Sequence, residues 1–177
     1  HRVDQPMFLR VAPVAVGHDF RERRAWCSRV PALDSLPTAS VLVQAHNEAE
    51  VLDRTIESLL AMIPAPLQLI VIDDGSEDGT AAIADRYPVR VLRQAQAGKA
   101  HALNRGIAEA SGEVILAMDA DTIVAPDFLD HMLHHFCEPS VVAVAGNVKV
   151  GNRKGVLPRL QSLAYIASLE TDRLAPA

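Results

Sequence analysis

Three times in this chain a short apolar run stops abruptly at a polar cluster. Residues 41–43 (Val-Leu-Val) lead into Gln44-Ala45-His46-Asn47-Glu48. Residues 67–72 (Leu-Gln-Leu-Ile-Val-Ile) lead into Asp73-Asp74, and residues 114–118 (Val-Ile-Leu-Ala-Met) into Asp119-Ala120-Asp121. Apolar runs of this kind read as strands buried on both faces, which is the environment of a parallel sheet covered by helices. The segments between them carry helical spacing. Val51, Leu52, Thr55, Ile56, Leu59 and Leu60 share one face of a helix that starts near Glu48, with Asn47 as N-cap and Pro64 as its stop. A second helix runs from the Gly75–Gly79 turn to about Tyr87. A third follows Gly98-Lys99, with Leu103, Ile107 and Ala110 on one face and Gly112 at its end. A fourth starts at Pro126 and carries Phe128, Leu129, Met132, Leu133 and Phe136. Residues 89–92 and 141–145 add two strands, and 157–173 a last helix. Strand–helix alternation with short connections predicts an α/β fold built on a doubly wound, mostly parallel sheet.

The ordered domain is expected over residues 39–177. Residues 1–38, with the mixed cluster Arg21-Glu22-Arg23-Arg24 and with Pro31 and Pro37, read as an irregular leader. A net charge of −5 without a long basic run argues against a nucleic-acid partner. Cys27 and Cys137 form no CxxC, so neither a zinc signature nor a disulfide framework is expected, which fits a reducing compartment. The longest uncharged run, residues 58–72, is broken by Pro64 and Pro66 and falls short of the roughly 20 apolar residues a bilayer requires. The chain as given is therefore expected to be soluble. It opens on His1 rather than Met, which suggests a fragment.

In a parallel sheet the three polar clusters fall on one edge, at the carboxyl ends of the strands, where open α/β sheets bind ligands. Carboxylates gathered there repel one another unless a cation or a hydrogen-bonding ligand joins them. Asp119 and Asp121 stand at i and i+2 and face one way if the strand continues through them. Two hard oxygen donors suit Mg²⁺ or Mn²⁺ carrying a phosphate. Lys99, on the same edge, can meet a phosphate. The plainer alternatives are that Asp at a strand end makes an ordinary turn and that Lys99 is solvated. Neither Gly75 nor Gly98 belongs to a GxGxxG or a GxxxxGK[ST] pattern. His131, His134 and His135 have helical spacing but no further ligand nearby, and read as a helix face. Cys137 reads as a small buried residue and Trp26 as packing.

These residues carry a resemblance. Val41-Leu42-Val43-Gln44-Ala45-His46-Asn47-Glu48 resembles the V-x-I-P-A-Y-N-E opening of the family 2 glycosyltransferases, which have the GT-A, nucleotide-diphospho-sugar transferase-like fold. Residues 70–80 (Ile-Val-Ile-Asp-Asp-Gly-Ser-Glu-Asp-Gly-Thr) match that family's V-x-D-D-G-S-x-D-x-T. Gly98-Lys99-Ala100, Ala102-Leu103-Asn104 and Gly106 match its G-K-x-x-A-L-N-x-G, and Asp119-Ala120-Asp121 its D-x-D. Ala145-Gly146-Asn147 with the basic loop after it resembles the processive branch, which makes poly-N-acetylglucosamine, chitin and hyaluronan. The resemblance implies an inverting, metal-dependent transfer of a sugar, N-acetylglucosamine in that branch, from a UDP-sugar to a growing polysaccharide. It implies a nucleotide-sugar site lined by Ala45, His46, Asn47 and Glu48, with Asp74 and Asp73 accepting from uracil. Lys99 would lie beside the nucleotide, and Asp119 and Ala120 by the ribose. Asp121, with Asp119, would hold Mg²⁺ or Mn²⁺. Two departures bear on base preference: Gln44 and His46 stand where the motif has Pro and Tyr.

The family's catalytic base lies in a later T-E-D type motif and its acceptor site in a Q-x-x-R-W. Both are expected beyond residue 177, since Thr171-Asp172 follows the D-x-D too closely. The chain is thus expected to be a truncated, donor-binding half that does not turn over. Its parent is expected to be membrane-anchored at the cytoplasmic face of the inner or plasma membrane, and its uncovered edges to permit self-association. Two rival readings differ in class. One is a haloacid dehalogenase-like phosphatase using Asp119 and Asp121. That motif normally follows a domain's first strand, and the reading leaves Asp73-Asp74 and Gly98-Lys99 without a role. The other is a non-catalytic nucleotide-binding module.

Overall fold

A computed structural model describes residues 9–13, 36–138 and 141–150. In chain order the elements are β1 (Leu9–Pro13), β2 (Ala39–Ala45), α1 (Leu52–Leu60), β3 (Gln68–Asp74), α2 (Thr80–Ala84), β4 (Arg90–Gln94), α3 (Lys99–Glu109), β5 (Val114–Asp119), β6 (Thr122–Val124), α4 (Phe128–His135) and β7 (Gly146–Val150). β2 to β5 make a four-stranded, all-parallel sheet in the order β4-β3-β2-β5. The chain moves outward from β2 to β3 to β4, and α3 then carries it back to the far side of β2. The connection therefore changes direction between β2 and β5, and the crevice at their carboxyl ends is where such a sheet binds ligands. Register sets what meets there: Gln44 stands opposite Asp119, Ala45 opposite Asp73, and Asp74 opposite Gln94.

Alternation along the strands builds a core on each face of the sheet. Val41, Val43, Leu69 and Val71 join Leu52, Ile56 and Leu59 of α1 and Phe128, Leu129, Met132 and Leu133 of α4. Leu42, Ile70 and Ile72 point the other way and meet Ala102, Leu103 and Ala110 along α3. The doubly wound reading of the three runs is thus correct for β2 and β3, whose side chains are buried on both faces.

Several expectations need correction. β5 is not buried on both sides: it is an edge strand of this sheet, with Ile115 and Ala117 exposed. Its run is as apolar as that of β2, and hydropathy alone does not separate an edge from a centre. The helix that Asn47 was expected to cap begins later, with Val51 at the N-cap position and no side-chain cap. The buried face of α3 is Ala102 and Gly106, while Ile107 is exposed. Residues 141–145 form no strand. β7 starts at Gly146, where it pairs antiparallel with β1 in a second sheet of order β6-β1-β7. β1 itself lies in the stretch read as an irregular leader, and β6 lies in what was read as a connection. Trp26, the 21–24 cluster, the helix at 157–173 and Thr171-Asp172 fall outside the described residues. Among the described residues no helix is long and apolar enough to cross a membrane.

Candidate functional site

The end of β3 organises the edge. Asp74 is 2% exposed. Its Oδ1 accepts from Gln94 Nε2 and from the Ala97 amide, both at 2.8 Å, and its Oδ2 accepts from the Gly98 amide at 2.8 Å. The Gln94 bond leads in holding the carboxyl below its usual range, and the two backbone amides outweigh with it the opposing cost of burial. This carboxylate therefore fixes residues 94–98, the loop that delivers Lys99 to the start of α3. Its neighbour Asp73 is also buried and accepts from the Ser76 amide through Oδ1 at 3.2 Å.

The loop after β2 is tied to the turn after β3 by a set of crossed bonds. His46 Nδ1 donates to the Asp74 carbonyl at 2.8 Å, which leaves Nε2 to accept from Gln96 Nε2 at 3.1 Å and Asn47 Nδ2 at 3.3 Å. Asn47 sits at φ 56°, its amide donates to Ser76 Oγ at 3.0 Å, and its Oδ1 accepts from the Glu77 amide at 2.9 Å. The Glu48 amide donates to Thr80 Oγ1 at 2.9 Å and the Ala49 amide to Asp78 Oδ2 at 3.0 Å. Burial opposes the charge of Asp78, but bonds from Thr80 and Ala49 outweigh it and lower its pKa.

The third cluster is where negative charge collects. β5 ends at Asp119, and Ala120 and Asp121 form a turn before β6, so strand geometry does not persist through the D-x-D. Ala120 is buried and its carbonyl accepts from the buried Thr55 hydroxyl at 2.6 Å, which pins the turn to α1. Asp119 is exposed and ion-paired through Oδ1 with Lys99 Nζ. Asp121 is half-buried; burial first, and the Asp119 charge second, raise its pKa. Glu48 is raised as well, by burial and then by the charges of Asp121, Asp78 and Asp119. Two groups from different strand ends thus resist ionisation, first because each is partly buried and second because each faces neighbouring carboxylates. That is the electrostatic condition in which a divalent cation is attracted. Among the described residues no three His, Cys, Asp or Glu side chains are grouped to hold a metal by themselves. A cation here needs oxygens from its ligand or from water, as Mg²⁺ on a diphosphate has.

The sequence profile described as Glycosyl transferase family 2 matches residues 40–175, which span all three strand-end clusters. The chain belongs to glycosyl transferase family 2. It is 33% identical over 153 residues to the poly-beta-1,6-N-acetyl-D-glucosamine synthase of Staphylococcus aureus (strain COL), a match covering 82% of this chain and 37% of that protein. The chain therefore spans little more than a third of the length of that relative. Among solved structures it is similar to the mannosyltransferase PcManGT of Pyrobaculum calidifontis in complex with GDP-Man and Mn²⁺. That likeness has TM-score 0.55 and 26% identity over 68% of this chain and 39% of the other. It is also similar to the glucosyl-3-phosphoglycerate synthase of Mycobacterium tuberculosis in complex with Mn²⁺, UDP and phosphoglyceric acid, with TM-score 0.52 and 26% identity over 72% of this chain and 46% of the other. The parallel sheet with flanking helices is that of the GT-A glycosyltransferases.

In this family 2 domain the structure brings Ala45, His46, Asn47, Glu48, Asp73, Asp74, Lys99, Asp119, Ala120 and Asp121 to one edge of one sheet. They do not all present free polar groups. Asp74 and Asn47 are engaged within the protein, and Ala120 turns its methyl inward. Sequence reasoning did not single out Thr55, Asp78, Gln94 or Gln96. Asp78 and Thr80 lie in the quoted D-x-T, and that motif is the signal that finds them. Gln94 is found only from its register opposite Asp74.

Proposed function

We propose that this chain binds the donor of an inverting, metal-dependent glycosyltransferase that moves N-acetylglucosamine from a UDP-sugar onto a growing polysaccharide. The observation that carries this reading is the acidic patch of Glu48, Asp119 and Asp121 facing Lys99 at the sheet's change of direction. The UDP in the mycobacterial relative's structure and the N-acetylglucosamine in the staphylococcal relative's name support the choice of donor. In this reading Asp121, with Asp119, takes Mg²⁺ or Mn²⁺ together with diphosphate oxygens. The cation supplies electrostatic stabilisation of the departing diphosphate. His46 and Asn47 wall the base. Asp73 accepts from uracil, while Asp74 positions the loop before Lys99. The whole protein of this reading is membrane-anchored and works at the cytoplasmic face. The open edge of β5 lets the chain self-associate. The reading is tested by calorimetric titration of UDP with and without Mn²⁺. Metal-dependent binding that Asp121→Ala reduces at least about tenfold, a loss of one charge-assisted ligand, is the expected result. Binding indifferent to both metal and variant would overturn it.

A further inference from the structure

We propose that Lys99 is an exchangeable counter-ion that keeps Asp119 from taking a divalent cation until a diphosphate arrives. The proposal rests on the donor-site reading above and adds an order of binding to it. Residues 36–138 contain one lysine, and it is placed against the acidic patch. Its position does not suit its own helix. Lys99 is the first residue of the eleven-residue α3, where the helix dipole is positive and a cation is disfavoured, and no acidic residue stands in that first turn to offset it. What holds it there is outside the helix: Asp74 bonds the Ala97 and Gly98 amides just before it, and Asp119 pairs with its ammonium.

The pairing has a consequence for any cation. A divalent ion on the Asp119 carboxylate would lie within a few ångströms of an ammonium already bound to the same group, and the two positive charges repel. Metal alone must therefore displace Lys99. A nucleoside diphosphate removes that conflict, because its own negative oxygens can take the ammonium as the cation takes Asp119. Both partners are about half-exposed, Lys99 at 57% and Asp119 at 49%, so the side chain is free to swing between them. Binding of cation and diphosphate is then mutually reinforcing through one residue, and reciprocally so.

The test is Mn²⁺ binding without nucleotide, followed by the free-ion paramagnetic resonance signal, on the whole chain and on Lys99→Met, Lys99→Arg and Asp121→Ala. Removal of the ammonium is expected to tighten Mn²⁺ alone by about threefold to tenfold, the scale of a half-exposed charge pair plus relief of repulsion. Lys99→Arg keeps the charge and is expected to bind Mn²⁺ as weakly as the unaltered chain. With saturating Mn²⁺, UDP is expected to bind Lys99→Met about tenfold or more weakly, the scale of a lost charge-assisted contact. Opposite signs for metal and nucleotide are the signature; a merely structural role would weaken both. Lys99→Met binding Mn²⁺ no tighter than the unaltered chain overturns the exchange. If the unaltered chain still binds UDP with Mn²⁺, and Asp121→Ala does not, the donor site itself stands and only the exchange fails.

Discussion

Asp74 shows how one side chain shapes the site through the backbone of a neighbouring loop. Three donors converge on a carboxylate that is 2% exposed, and two of them are backbone amides next to Lys99. Asp74→Asn keeps the shape but places an amide where only acceptors fit. The expected loss is about 2–3 kcal/mol of stability, the scale of a buried donor left unsatisfied together with a lost charged acceptor. Urea unfolding at neutral pH measures it. The pH dependence has a definite sign. Because the pKa of Asp74 is lowered in the fold, its stabilising effect is complete above the ordinary value of 3.8 and is lost as pH falls through the lower folded value. Asp74→Asn is therefore less stable at pH 7 but loses less stability on acidification below that range. The Asp73-Asp74 pair was legible as strand-end carboxylates, since a buried run stopped at them. Its partners were not: Gln94 lies twenty positions away and only register brings it close. Asn47 failed for a related reason. Its capping preference is local, and the bonds it makes to Ser76 and Glu77 in the turn after β3 override it.

At the scale of elements, the placement of Lys99 depends on how closely α3 approaches the sheet. A Cβ added at Gly106 would stand 2.9 Å from Ile72 Cδ1 and 3.2 Å from Leu42 Cδ1, so the absence of a side chain sets the helix–sheet distance. The atoms in the way are the ends of flexible side chains. Gly106→Ala therefore combines a gain of about 1 kcal/mol in helix propensity with a small repacking cost, and is expected to be close to neutral. Gly106→Val adds a branched side chain that those ends cannot all avoid, and is expected to cost about 1–3 kcal/mol. The urea midpoint should fall with an unchanged slope, because the exposed surface on unfolding stays the same. A midpoint for Gly106→Val equal to that of the unaltered chain would show that α3 is not seated this closely. The apolar spacing of Leu103, Ile107 and Ala110 was visible in the sequence and gave the helix, with Leu103 and Ala110 packed against the sheet, but it misplaced the exposed Ile107 and missed the buried Ala102 and Gly106. Periodicity weights large residues, whereas this contact is made by the smallest ones. Gly112 is similar: it lies past the end of α3, and a Cβ there would meet the backbone nitrogen of Ser40 at 2.5 Å.

At the scale of the whole molecule, the arrangement that creates the site also leaves an edge. Winding outward through β2, β3 and β4 and then returning to the far side of β2 puts the D-x-D at the carboxyl end of an outer strand of the four-stranded sheet. In the sequence β5 reads as buried on both faces, like β2 and β3, since it is uncharged from Val114 to Met118. Hydropathy read its composition correctly and its neighbours not at all. An outer strand with no proline, no lysine and an exposed Ile115 and Ala117 lacks the features that keep sheet edges from pairing with other chains. The staphylococcal relative is far longer than this chain, so further sequence is available in the family to cover such an edge. Among the described residues no strand pairs with the outer edge of β5, and the expected occupant is β5 of a second copy. Sedimentation velocity over a concentration series should show reversible association. Ala117→Lys, which puts a charge on the open face while sparing Met118 and Asp119, should abolish that association without loss of Mn²⁺-dependent UDP binding. A sedimentation coefficient that stays monomeric at every concentration would mean that β5 is already covered. Loss of nucleotide binding in the monomeric variant would instead mean that the site needs the second copy. Pairing at β5 would use a surface adjacent to Asp119, so the two measurements belong on the same samples.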